Sequence, residues 1–245
     1  MRQSHIIQNL DDIRANIANA EARAKRPRGS VTLVVVSKTF PPEIIDEAIA
    51  AGAGVIGENR VREAAAKIPL CRSAEWHLIG PLQSNKIRAA LPLFTLIHSV
   101  DSVDLVRAIA RVAAESGLRP RLLFEVNIAG EASKFGFTPE SVRTGLETAL
   151  ALPEIEVAGL MTVPPFVPDP ELSRPRFAKL RELRDALERE FGASLPELSM
   201  GMSGDYETAI EEGATLVRVG SALFGKRNAS AWKPDRQPDT DDCFT

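Results

Sequence analysis

Cysteine is almost absent from this 245-residue chain, which carries only Cys71 and Cys243. Two thiols build neither a disulfide framework nor a thiolate metal cluster. Histidine is nearly as scarce: His5, His77 and His98 are dispersed, without the paired spacing of metal ligands. Long apolar runs are missing too. Val31–Val36 is far shorter than the roughly 20 residues a membrane span needs. The first ten residues, Met1–Leu10, turn polar again too soon for a secretory signal. Nor is there an excess of one charge. A formal net charge of −3 lacks the basic surface of a general nucleic-acid binder. These absences predict a cytoplasmic, soluble protein with no nucleic-acid or membrane partner, and a monomer is expected.

What is present is a regular alternation. With 44% hydrophobic residues the chain can bury one large core, and single barrels of roughly 250 residues are common. Ile6, Leu10, Ile13, Ile17 and Ala20 recur every three or four residues and predict a leading amphipathic helix that ends before Pro27-Arg-Gly29. Short apolar runs follow at 32–37, 54–57, 75–79, 95–99, 121–128, 156–162, 197–200 and 215–219. Helical patterns lie between them at 42–51, 59–68, 84–91, 102–116, 139–151, 171–191 and 205–212. Strands apolar on both faces and separated by helices imply a parallel sheet, and eight of them imply a closed (β/α)8 TIM barrel. An open doubly wound sheet usually has a Gly-rich first turn, whereas Ser37-Lys-Thr-Phe-Pro-Pro42 has no glycine. One barrel domain is therefore expected over residues 1–225. Residues 226–245, with Pro234, Pro238 and the acidic stretch ending at Asp242, read as a disordered tail. The mixed-charge run Arg181–Glu190 reads as a solvated helix face.

The chemistry gathers at strand ends. Val31-Thr-Leu-Val-Val-Val-Ser-Lys38 is an apolar run that ends in a lysine. Strand alternation puts Val34, Val36 and Lys38 on the barrel interior, with Lys38 at the C-terminal rim where such barrels keep their active sites. A lysine there can form a Schiff base with an aldehyde. Near the other end, Ser203-Gly204 and Gly220-Ser221 each precede a helix and can offer backbone N–H groups and a hydroxyl to an anion. Either turn alone reads equally well as ordinary capping, but two on neighbouring strands favour phosphate. Lysine and phosphate corner together suggest an aldehyde phosphate, with pyridoxal 5'-phosphate (PLP) the leading candidate. Arg218 lies inside an apolar strand, on the same face as Gly220, and needs a partner to offset its desolvation. Toward PLP it would donate to an unprotonated ring nitrogen, which weakens the ring as an electron sink. Further polar groups at strand ends are Glu58, His77, His98, Ser99, Asn127 and Thr162. Asn59 reads either as a ligand or as a helix N-cap, and His77 as a core histidine or a base. The loop Glu131-Ala-Ser-Lys134 reads as solvated.

Several segments, in order, resemble the pyridoxal phosphate homeostasis protein family. They are Val36-Ser-Lys-Thr39, Gly57-Glu-Asn59, Trp76-His-Leu-Ile-Gly-Pro-Leu-Gln-Ser-Asn-Lys86, His98-Ser-Val-Asp101 and Ser133-Lys-Phe-Gly136. Gly159-Leu-Met161, Leu198-Ser-Met-Gly-Met-Ser203 and Val217-Arg-Val-Gly220 continue the series. The resemblance spans residues 30–225. It implies the barrel of the alanine racemase N-terminal domain, preceded here by an extra helix, and a role in cofactor supply rather than turnover. By position it implies that Lys38 takes the cofactor aldehyde, that Ser203, Gly220 and Ser221 contact phosphate, and that Arg218 meets the pyridine nitrogen. Asn59 and Met161 would surround the ring. Arg60 and Gly204 depart from the residues frequent in the family, tyrosine and aspartate, while Ser221 keeps the hydroxyl of the frequent threonine.

The expectation is a PLP-binding protein of intracellular PLP homeostasis, which buffers the cofactor or delivers it to PLP-dependent apo-enzymes. No catalytic residue and no metal are assigned. The first rival is a PLP-dependent amino-acid racemase, which needs acid/base groups on both faces of the substrate carbon. The sole tyrosine, Tyr206, falls in a helix on the phosphate side, and the chain is too short for a second domain. The second rival, a Schiff-base aldolase acting on a sugar phosphate, needs an acid/base set around Lys38.

Overall fold

The computed structural model describes residues 2–131, 135–165, 167–225 and Trp232. Eight strands pair in parallel and in chain order: β1 (Thr32–Val36), β2 (Val55–Glu58), β3 (Glu75–Leu78), β4 (Leu96–Val100), β5 (Arg121–Glu125), β6 (Glu156–Met161), β7 (Glu197–Met202) and β8 (Leu216–Val219). β8 pairs with β1 and closes the barrel. The helices are α1 (Arg2–Arg23), α2 (Pro42–Ala50), α3 (Val61–Lys67), α4 (Ile87–Ala90), α5 (Val103–Ser116), α6 (Ser141–Leu150), α7 (Arg174–Phe191), α8 (Tyr206–Glu211) and α9 (Ser221–Phe224). Among the described residues, no helix is long and apolar enough to cross a membrane.

Side-chain alternation divides the apolar residues into two cores. Val35, Ile56, Leu78, Ile97, Leu122 and Leu198 point outward and bury the inner faces of the helices. Val34, Leu96, Leu123, Ala158, Met161 and Leu216 fill the barrel interior. The expected strand 121–128 ends early, at Glu125. Phe137 pairs with Val126 there, its N–H donating to the Glu125 carbonyl at 2.8 Å, so the following loop takes the hydrogen bonds a longer strand would use. The helix expected at 84–91 opens as a 3-10 turn over Ser84–Lys86 and is α-helical only over Ile87–Ala90.

The leading helix has a structural reason. The helix after β8, α9, is only four residues long, so the outer layer over the β8–β1 seam would be thin. α1 packs against α2, α8 and α9 and covers that seam. Ile6, Leu10, Ile13, Ile17 and Ala20 are its buried stripe, each large aliphatic contributing about 1.5–3 kcal/mol. Asn9 Nδ2 donates to the Leu223 carbonyl of α9 at 2.8 Å, and Arg23 pairs with Glu207 and Glu211 of α8 at 2.8 and 2.7 Å.

One glycine sets the strand register on the far side. Gly159 has φ +157°, and a Cβ there would lie 1.9 Å from the Glu197 carbonyl oxygen of β7. The β5–β6 register shifts beside it, between Leu122 and Leu123, as a bulge produces. Gly159→Ala forces backbone apart rather than a flexible side chain. We expect a loss of about 3 kcal/mol or more, read as a lowered urea midpoint with unchanged m-value.

Candidate functional site

β1 carries the chain up to the rim and ends at Val36, and the next residue, Ser37, is fully buried. Lys38, half-buried, follows at the C-terminal mouth. The next residue, Thr39, has φ +70°, a conformation that costs a β-branched residue about 1–3 kcal/mol. Two hydrogen bonds hold it. Its N–H donates to Glu63 Oε1 at 2.7 Å, and its carbonyl accepts from the Trp232 N–H at 3.0 Å. Beneath this turn lies a buried ionic cluster. Lys67 Nζ, with no exposed surface, donates to Glu63 Oε1 (2.6 Å), Glu58 Oε1 (2.8 Å) and the Ser37 carbonyl (3.1 Å). Ser37 Oγ donates to the same Glu58 oxygen at 2.6 Å. Burial pushes the Glu58 carboxyl above its usual range against the pull of Lys67. The Lys67 ammonium lies 5.2 Å from the centre of the Trp232 ring. The backbone on both sides of Lys38 is thus anchored from below.

The loops after β7 and β8 meet beside this turn. The N–H groups of Gly220 and Ala222 both converge on Ser203 Oγ, each at 3.3 Å. The Ser203 turn is itself fixed by Asp205, whose Oδ1 accepts from the Met202 N–H at 2.8 Å. A Cβ at Gly220 would lie 3.1 Å from the Val36 carbonyl oxygen, so glycine lets the β8 turn press against the end of β1. Two backbone donors aimed at one oxygen, with Ser221 at the start of α9, form a polar cradle suited to an anion.

Arg218 stands in the barrel interior below the cradle, 4% exposed. Nη1 donates to Ser199 Oγ at 2.5 Å and Nη2 to the Thr162 carbonyl at 2.8 Å. Burial lowers its pKa to about 10, so it stays charged. Beyond Ser199 the contacts continue across the barrel. Ser199 Oγ is 2.9 Å from His98 Nδ1, and His98 Nε2 is 3.0 Å from His77 Nδ1. Burial first, then neighbouring cations, drives both imidazoles toward the neutral form: His77 to about 4, helped by Arg121, and His98 well below its usual value. His77 is therefore a satisfied core histidine.

The structure places Lys38 just after β1, Ser203 just after β7, and Gly220 and Ser221 just after β8, with Arg218 inside β8. Met161 is buried in the interior core. The N-cap reading of Asn59 is corrected: Arg60 caps α3 in extended conformation, and Asn59 Oδ1 is a buried acceptor with no partner among the described residues. Ser99 Oγ donates to the Gly80 carbonyl (2.5 Å) and Thr162 Oγ1 to the Val126 carbonyl (2.8 Å), so both serve the rim backbone. Asn127 organises its own loop through Glu131. Ser133 and Lys134, and the tail apart from Trp232, lie outside the described residues. Sequence reasoning missed Lys67, Glu63 and Thr39. The four-residue spacing of Glu63 and Lys67 was a signal; the left-handed φ of Thr39 had none.

Fold and site define a single barrel of the alanine racemase N-terminal type, and a family model of that domain matches residues 8–228. An alanine racemase from Clostridium difficile shares the fold alone, at 14% identity and TM-score 0.73, over 94% of this chain and 62% of that one. Much nearer is a pyridoxal phosphate homeostasis protein of Aquifex aeolicus, 46% identical over 222 residues, covering 90% of this chain and 97% of that protein. The structure of PipY from Synechococcus elongatus with PLP bound is 37% identical at TM-score 0.78, over 90% of this chain and all of that one. This chain belongs to the pyridoxal phosphate homeostasis protein family.

The two buried histidines give a pH signature. Neutral in the fold, they would titrate near 6.5 in the unfolded chain. The unfolded state then binds more protons below pH 6.5, so stability is full above that pH and falls as pH drops toward 4. The loss reaches about 1.4 kcal/mol per pH unit for each histidine. Urea unfolding between pH 7 and 5 should show it, and His77→Gln should remove about half of the slope.

Proposed function

We propose that this chain binds PLP at the C-terminal rim of its barrel and serves intracellular PLP homeostasis by holding and releasing the cofactor, without a dedicated substrate of its own. The observation that carries this is the convergence of the Gly220 and Ala222 N–H groups on the Ser203 hydroxyl oxygen, beside the turn after β1 that carries Lys38. When bound, PLP supplies an aldehyde that condenses with primary amines and a pyridine ring that withdraws electrons. The residues present fit that group. The cradle formed by Ser203, Gly220 and Ser221 offers donors for its phosphate. Lys38 is the amine for its aldehyde, held at the mouth by the anchored turn. Asn59 Oδ1, a buried acceptor without a partner among the described residues, would accept from a donor on the ring, and Met161 lines the interior below.

Arg218 supports binding over turnover. A guanidinium donates and does not take up a proton, so at the ring nitrogen it would hold that nitrogen unprotonated. Lys38 could serve one face of a substrate in racemisation, but the described residues offer no tyrosine for the other. The hydroxyl of Tyr206, the sole tyrosine, accepts from Asn16 of α1 at 3.2 Å and so lies in the outer helical layer. His77 and His98 are spent on each other inside the barrel.

We expect the protein loaded with PLP to absorb in the visible, and borohydride followed by peptide mapping to mark Lys38. Lys38→Ala should lose the band but keep part of the affinity through the cradle. A full-strength band in that variant would place the linkage on another lysine. Ser203→Ala combined with Ser221→Ala should keep the band and weaken retention by about a hundredfold, as expected when two hydrogen bonds to a charged group are lost and partly replaced by water. Solvent deuterium should enter the Cα position of alanine far more slowly than the ~1–10³ per second of enzymatic turnover. Exchange at enzymatic rates would establish the racemase reading instead.

A further inference from the structure

We infer that Ser199, His98 and His77 are positioning residues for Arg218, joined to it in a hydrogen-bond chain of one polarity that crosses the barrel interior from β8 to β3. The polarity follows from donor counting. A guanidinium has only N–H donors, so the 2.5 Å contact makes Ser199 Oγ the acceptor. The hydroxyl proton of Ser199 then has His98 Nδ1, at 2.9 Å, as its acceptor. With Nδ1 accepting, neutral His98 carries its proton on Nε2 and donates it to His77 Nδ1 at 3.0 Å. His77 in turn carries its proton on Nε2, the atom on the side of Glu75, 3.9 Å away and exposed at the start of β3. Reversing any link would leave the Ser199 hydroxyl proton with no acceptor or set two donors against each other, at a site where Ser199 and His98 are wholly buried. Burial and the adjacent Arg218 charge both oppose protonation of His98, in agreement with a neutral chain.

The chain gives Arg218 a fixed seat without a carboxylate at Nη1. Its hydrogen-bond partners are the neutral Ser199 hydroxyl at Nη1 and the Thr162 carbonyl at Nη2, while the Glu125 and Asp205 carboxylates favour its charged form through space against the cost of burial. That Arg218 acts on a ring nitrogen rests on the cofactor reading above; the polarity of the chain does not.

Two-bond 15N–1H correlation spectra of the cofactor-free protein at pH 7 decide the polarity. His77 and His98, assigned from His77→Gln and His98→Gln, should both show the neutral Nε2–H pattern, with exposed His5 as the reference. Either residue in the Nδ1–H form, or charged, overturns the chain. PLP titration of the full chain then tests positioning. Ser199→Ala and His98→Phe should move the absorption maximum in the same direction as Arg218→Lys and raise Kd about tenfold, the equivalent of ~1.4 kcal/mol. Ser199→Thr, which keeps the hydroxyl, should restore the wild-type band. A wild-type band and Kd in Ser199→Ala overturns the positioning role. Failure of the wild-type chain to take up PLP would instead sink the cofactor reading, with the chain's polarity still decided by the spectra without cofactor.

Discussion

The pairing of β8 with β1 is the constraint on which the rest of the site depends. Its register sets Val34 opposite Arg218 and Val35 opposite Val219. The next step up each strand brings Val36 against Gly220, the close approach that only a missing side chain permits. Lys38 and the Ser203–Gly220–Ala222 cradle, about 180 residues apart in the chain, become neighbours through those few backbone hydrogen bonds. A slip of one residue would exchange the two faces of β8 and turn Arg218 toward the helices. The seam is correspondingly well covered: α1 lies over it, tied to α9 by Asn9 and to α8 by Arg23.

Two cations are buried near this seam, and the protein satisfies them in opposite ways. Lys67 sits between two carboxylates and a carbonyl, so its charge is consumed locally and the cluster works as an anchor. It holds Ser37 and, through Glu63, the left-handed Thr39, and so restricts the backbone that carries Lys38. Arg218 is met by a hydroxyl and a carbonyl. Such dipoles satisfy N–H groups without a carboxylate in contact, while Glu125 and Asp205 act on the guanidinium through space. Burial of an ion is costly in both places; what differs is whether a carboxylate is in contact with the charge.

The same barrel in alanine racemase shows how little the fold alone says about turnover. Here the single tyrosine is committed to the outer helical layer, and both interior histidines are neutral links in a hydrogen-bond chain. What faces the mouth is a lysine, an anion cradle and an arginine. Under the proposed function, that set serves retention of an aldehyde phosphate.

Much of this was legible in the residue order. Strand runs apolar on both faces, spaced by helical patterns, determine a parallel barrel because every backbone group and both strand faces must be buried together. The position of Lys38 after β1, and of the Ser/Gly turns after β7 and β8, follows from counting along those runs. So does the inward face of Arg218, because strand alternation has a period of two. Other features belong to the tertiary structure alone. Asn59 reads as a ligand or a cap in sequence; Arg60 takes the cap position, and the buried Asn59 side-chain oxygen Oδ1 has no partner among the described residues. His77 and His98 are 21 residues apart, and Ser199 a further 101. Only closure of the barrel puts them in line, and their tautomers are set by a donor on another strand. The spacing of Glu63 and Lys67 marks an i,i+4 pair, but its burial against Ser37 and Glu58 follows only from the packing of α3. Periodicity determines which face a side chain takes; which partner it meets there is decided by strand closure and helix packing, across distances no local pattern encodes.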